Sequence, residues 1–408
     1  MTLIVETLQK QPQAPVERVV YNGTALGLTK VAVRNMLLSV ITLGIYRFWG
    51  KTRMRHYLWG KFQIDGAPFE YTGTGWELFK GFFLAMLVLS VYGGISQILF
   101  LMLDKSPVAL GGVFIISLIG YTVLGAFAIM FSQRYRLSRT NWRGIRGGMQ
   151  IEGKSFFIVC LKAGLLILFT AGVAYPIASL MVRNHIWSHS RFGDQLFLSK
   201  AKVGGAWRPW ILVYGGFLTI IGSLFWMSLY INSSIFSENG FQFDNFSSEK
   251  FGILNLPKFF GLVCFLIIVG WVCYNVREQC QIINGLSLGG LSFRCELRSR
   301  NILGWLLVLG LSYIIAIFFL FLFFVFLEVG HVFLGGESLS SLVVMIVGVI
   351  SFLLLPVLQM VLWTHPLMRG IAAKTTVIGE LNFAEVGQNR DIRPTRGEGL
   401  LEALDIGG

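Results

Sequence analysis

Six stretches of the chain run without an Asp, Glu, Lys or Arg, approximately 81–103, 107–131, 209–231, 259–276, 302–327 and 341–364. A helix needs roughly 20 apolar residues to cross a bilayer core, and a lone strand would leave its backbone groups unpaired in lipid. The pattern predicts an all-α polytopic membrane protein with about six spanning helices.

Polar residues between these stretches give the helices a direction. Segments 50–76, 132–155, 183–208 and 277–301 are rich in Lys and Arg, whereas 232–256 and 328–340 lean acidic and 104–105 is a bare Asp-Lys turn. Basic loops stay on the cytoplasmic side. The six helices therefore pair into three hairpins that enter and leave from the cytoplasm, with the C-terminal tail inside. Five segments follow: an N-terminal cytoplasmic piece (1–30), a first membrane unit (31–155), a second (156–301), a third helical hairpin (302–364) and a cytoplasmic tail (365–408). Two further apolar segments fit this count poorly. Residues 35–46 are too short to span, and 155–182 is interrupted by Lys162, Gly164, Gly172 and Pro176 with basic loops on both sides. Both are expected to be re-entrant or interfacial; the alternative is two ordinary spans with a locally broken charge rule.

Composition agrees with this. The chain is 54% hydrophobic and 13% charged, with a mean hydropathy of +0.67, well below the charge content of soluble domains. Its net charge of +13 sits in short loops, which points to orientation and anionic lipid headgroups and away from nucleic acid. The five cysteines lack metal-ligand spacing and read as free thiols. The N-terminus lacks a signal-peptide pattern.

The two irregular segments match each other at an offset of 128 residues, Thr42 and Gly44 with Thr170 and Gly172, Arg55 with Arg183, Trp59 with Trp187, and Phe69 with Phe197. After each Arg comes a Gly and then a Phe, as also at Gly289–Phe293 and Gly379–Phe383. FQIDGAPFEY, FGDQLFLSK, LSLGGLSFRCEL and VIGELNFAEV combine turn chemistry with alternating side chains. They predict short cytoplasmic strands pairing into small sheets, and an internal repeat.

These residues also carry a resemblance. NMLLSVITLGIYRFWGKTRMRHYLW (35–59), FEYTGTGWELFKGF (69–82), RTNWRGIRGG (139–148), FGDQLF (192–197) and GEGLLEALDIGG (397–408) resemble the YjgN family of bacterial inner-membrane proteins, from about Tyr21 to the end. The resemblance implies an inner-membrane location and a shared fold. It brings no catalytic residues, because the family's function is unknown.

Candidate chemistry is sparse. His185 and His189 would share a helix face, but nothing completes a metal site; interfacial anchoring is the better reading, and neither metal nor cofactor is expected. Arg143 and Arg146, with Arg139 and Trp142, could grip a phosphate or carboxylate, but fixing orientation and binding anionic lipid heads is the better reading of them and of Arg55 and Arg183 alike. The breaks at Thr42–Gly44 and Thr170–Gly172 could expose backbone groups to an ion or substrate, or could permit close helix packing. Lys162 is the one charge inside an apolar segment and could snorkel to the headgroups. There is no HExxH, GxSxG or P-loop, and no nucleophile beside a base, so an enzyme is not expected. The leading expectation is a transport or flux protein for an anionic solute or lipid. The rival is a scaffold or regulator that docks another envelope protein through its cytoplasmic loops.

Overall fold

The structure is a computed structural model that describes residues 16–103, 106–235, 256–297, 302–308, 310–311, 357–379 and 386–387. Its elements in chain order begin with strands β1 (Val16–Arg18) and β2 (Val20–Tyr21), helices α1 (Ala25–Ile41) and α2 (Arg47–Lys61), and hairpin β3 (Phe62–Ile64)–β4 (Ala67–Tyr71). Next come α3 (Gly75–Met102), α4 (Pro107–Ser138) and hairpin β5 (Thr140–Trp142)–β6 (Ile145–Met149), then α5 (Gly153–Phe169), α6 (Tyr175–Ser188) and hairpin β7 (Ser190–Phe192)–β8 (Gln195–Ser199). The chain continues through α7 (Trp207–Ile235), α8 (Leu256–Gly285) and hairpin β9 (Leu286–Leu288)–β10 (Leu291–Cys295), and further on α9 (His365–Lys374) leads into β11 (Thr375–Ile378). Each described hairpin thus follows a pair of helices.

Helix ends carry the expected signals. Thr74 and Glu77 form a capping box at the start of α3, and Ser106 caps α4 ahead of Pro107. Among the described residues, four apolar helices are long enough to cross a membrane: Gly75–Met102, Val108–Ser138, Gly204–Trp226 and Phe259–Gly285. These lie on four of the six expected spans but run further toward the strands, because backbone hydrogen bonding carries α4 and α8 past the first basic residues. The remaining two, 302–327 and 341–364, fall mostly outside the described residues.

The irregular segments are antiparallel helical hairpins. Thr24 at the start of α1 bonds Tyr57 near the end of α2, and Ser155 near the start of α5 lies beside His185 near the end of α6. Both turns close in the same way. Thr42 ends α1, Leu43 N–H donates to Val40 O, and Gly44 N–H donates to Ser39 O at 2.6 Å. Thr170 ends α5, Ala171 N–H donates to Leu168 O, and Gly172 N–H donates to Ile167 O at 2.7 Å. This is the Schellman arrangement, here with Leu43 and Ala171 in the left-handed region where glycine is usual.

The strands correct the expectation of an all-α molecule with small separate sheets. All eleven belong to one sheet, in the order β1-β11-β10-β9-β8-β7-β6-β5-β4-β3-β2. Its outermost strands are one extended N-terminal segment interrupted only at Val19: Arg18 pairs with Thr376 on β11, and Val20 with Gln63 on β3. The order therefore returns on itself as a barrel. The reason is edge chemistry, since every three-to-five-residue hairpin would otherwise expose an unpaired edge, and closure removes it.

Candidate functional site

The barrel is built from short strands whose alternating residues face inward. On β8, Phe197 is half-buried while Leu196 and Leu198 on either side are exposed, the alternation a pleated strand imposes. Tight two-residue turns fix the register. At Asp65-Gly66 and Arg143-Gly144 both turn residues have positive φ, the type I′ geometry that suits strand twist and wants a glycine second. The inward residues Ile64, Phe69, Trp142, Phe192, Phe197, Leu288 and Phe293 form one apolar cluster with Val386. Barrel width grows with strand number, and about eight strands give an interior that side chains can fill. With β1 and β2 in one segment this ring is wider, and a cavity of about 310 Å³ remains. Beyond Thr375, apolar residues line it, among them Trp187, Ile283 and Ile371 from the helix ends that feed the strands. At the hairpin-turn end, Gly387 O accepts from Asp194 N–H at 3.1 Å.

A charged collar surrounds the junction of helices and barrel. Glu278 on α8 is only 1% exposed, accepts from Ser179 Oγ at 2.5 Å and from Tyr274 O–H at 3.1 Å, and lies 3.6 Å from Arg183 Nη2. Glu77 accepts from Arg139 at 2.5 Å and from Tyr135 O–H at 2.8 Å. Arg55, 8% exposed, donates to Tyr71 O–H at 3.1 Å and lies over its ring.

The sequence-derived candidates are dispersed around this architecture. Arg143 pairs with Asp65 across two hairpin turns and stacks on Trp142; Arg146 is exposed on β6. Lys162 is exposed on α5 and does not line the cavity. At the two breaks the backbone donors are already used, and the threonine hydroxyls hold the turns: Thr42 Oγ accepts from Tyr46 N–H at 2.9 Å and Thr170 Oγ from Ala174 N–H at 3.1 Å. The breaks also sit in different surroundings. Gly172 faces Tyr214 of α7, while none of the described residues approaches Gly44, and the α3–α4 pair lies between the two hairpins around the ring.

Sequence reasoning missed three features. Glu278 was hidden because the helix was expected to stop at 276. The lumen requires pairings that join distant parts of the chain. Ser155 Oγ and His185 Nε2 lie 3.4 Å apart, with His185 held below its usual pKa by burial and then by His189. Among the described residues no carboxylate orients that imidazole, and no three His, Cys, Asp or Glu gather as metal ligands.

Apolar helices together with a sheet that encloses an apolar cavity define a helical membrane protein that also carries a β-domain. The chain belongs to the family described as bacterial protein of unknown function (DUF898), whose model matches residues 16–311, and is a YjgN-family protein. It is 24% identical over 271 residues to inner membrane protein YjgN of Escherichia coli O157:H7 and 26% identical over 272 residues to that of Escherichia coli strain K12. Each alignment covers 66% of this chain and 61% of the relative. A shorter stretch of 69 residues is 32% identical to YjgN of Salmonella typhimurium, covering 17% of this chain and 18% of that one. No solved structure matches.

Proposed function

We propose that this protein handles lipid at the inner membrane, with the barrel lumen taking up an apolar chain. The carrying observation is the cavity of about 310 Å³ among Phe69, Trp142, Phe197, Leu288 and Phe293, at the low end of the ~300–1,000 Å³ of small-molecule sites. A polar anion as cargo is less favoured, because Arg139, Arg143 and Arg183 already face carboxylates and the lumen offers an anion no ring of donors.

The strand-bearing segments are the basic ones, which supports a cytoplasmic barrel, multiple crossings and a cytoplasmic C-terminus. Seventeen-residue helices such as α1 and α5 reach about 25 Å at 1.5 Å per residue, short of a ~30 Å hydrocarbon core; this supports re-entry. The succession of helix pair and hairpin, with matching turns at Gly44 and Gly172, supports descent from a duplicated unit. The reading assigns no reaction.

The test is lipid analysis of protein purified in mild detergent, followed by crosslinking with a photoreactive fatty acid. Co-purifying lipid and adducts on Phe197 or Phe293 are expected, and Leu288→Trp should fill the lumen and reduce both. Adducts confined to the exposed faces of α3 and α4, unchanged by Leu288→Trp, would sink the idea. Docking of an envelope protein is the second reading, carried by Leu196 and Leu198 exposed at 44% and 59% on the barrel's outer face. Leu198→Glu should then abolish capture of a stoichiometric partner while leaving lipid content alone.

A further inference from the structure

Cys280 and Cys295 come from different elements, the last turns of α8 and the end of β10, yet their sulfurs lie 2.6 Å apart. Both are buried, at 8% and 5% exposure. The approach is held by Asn284, one helical turn beyond Cys280 on the same face of α8. Its Oδ1 accepts from Cys295 N–H at 2.5 Å and its Nδ2 donates to Cys295 O at 3.2 Å. This two-point clamp on the strand backbone fixes where the Cys295 sulfur stands relative to the helix. Cys280 also lines a second cavity, of about 330 Å³, between α8 and α9, beside Gln279, Ile283, Trp363 and Leu367. A small oxidant therefore has a route to the pair.

We infer that Cys280 and Cys295 are a dithiol site of oxidation, closing to an intramolecular disulfide under hydrogen peroxide and reopening under a thiol reductant. The close contact with Cys280 holds the Cys295 thiol below its usual range, so Cys295 supplies the attacking thiolate. Its sulfur attacks one peroxide oxygen, the O–O bond breaks, and the departing hydroxide takes a proton to leave as water. The sulfenic acid formed on Cys295 is then attacked by the Cys280 sulfur. The S–O bond breaks, and the hydroxyl leaves as a second water with the Cys280 proton. Two thiols lose two electrons and two protons, and one peroxide becomes two waters. A reducing cytoplasm keeps the pair open at rest. The proposal is independent of the lipid reading, although closure would pin α8 to β10, two elements that supply Ile283 and Phe293 to the lumen wall.

The test treats the full-length protein in phosphatidylcholine nanodiscs with hydrogen peroxide, blocks residual thiols with N-ethylmaleimide, and digests with trypsin. Reactive thiols, counted after denaturation, should fall from five to three. Peptide 278–294 should appear linked to peptide 295–298 and separate on reduction. The oxidised protein should melt a few degrees higher (~2–4 °C for a chain of this size). Cys280→Ser and Cys295→Ser should each abolish the linked peptide and the reversible shift. Cys264→Ser, at an exposed thiol, should leave both intact and shows that loss of a cysteine alone does not produce the effect. Five thiols persisting after peroxide, linkage through Cys160, Cys264 or Cys273, or oxidation that reductant cannot reverse would each overturn the inference.

Discussion

Glu278 shows how one side chain couples two helices, α6 and α8, beside the barrel. Buried at 1% exposure between Ser179, Tyr274 and Arg183, it is satisfied only while α6 and α8 stay packed. Removing one partner of a buried pair leaves an uncompensated charge and costs about 3–5 kcal/mol. Arg183→Ala should therefore lower stability by about that amount, and Arg183→Ala with Glu278→Gln should recover part of it. Thermal unfolding in one detergent across the series measures this; equal melting temperatures for both variants would refute the coupling. Neither residue's role was legible in sequence. Arg183 looked like a headgroup anchor, and Glu278 followed Arg277 where charge normally means loop. The structure reverses that inference because α8 continues to Gly285, burying the carboxylate at the junction.

Among elements, the turns at Thr42–Gly44 and Thr170–Gly172 were legible as breaks but not as closed ones. Sequence gives the glycine and the matching spacing. It does not show that Gly44 and Gly172 donate back to Ser39 and Ile167, or that each threonine hydroxyl takes the amide four residues on. With those donors spent, the breaks serve as helix stops. Thr42→Val and Thr170→Val should each cost about 1–2 kcal/mol by stranding an amide. Gly44→Leu should cost a similar ~1–2 kcal/mol through its positive φ. All three should leave lipid content unchanged, read by melting and by lipid analysis on the same samples. The long apolar helices were the easiest elements to foresee, since a charge-free run of that length is what a bilayer core asks of a helix. The strands were foreseen only as fragments. Three to five residues of alternation show that a strand exists and say nothing of its neighbours.

For the molecule as a whole, ring order is the largest departure from what the chain pattern offers, and it can be checked directly. Arg18 and Thr376 are register partners across β1 and β11. The double variant Arg18→Cys, Thr376→Cys should crosslink under mild oxidation within one chain, and Arg18→Cys with Cys at Leu196 on the far wall should not. Cysteines at Asp65 and Asp194, near the hairpin turns, should react with a membrane-impermeant maleimide only when the cytoplasmic face is opened. A cysteine at Lys105 should react from the outside. Labelling of all three from one side would overturn the orientation.

The closing segment has a bearing on biogenesis. Val16–Tyr21 leaves the ribosome well before one of its two partners, Thr375–Ile378, which follows some 350 residues later. The helices between must already be entering the bilayer while the first strand waits with β3 on one side and nothing on the other. Closure must thus wait until residues 375–378 have been made, and it carries a large loop entropy. A ribosome stalled before residue 375 should hold an inserted but open ring, susceptible to protease at residues 16–21. Emergence of residues 375–378, rather than insertion, should be the step that confers protection.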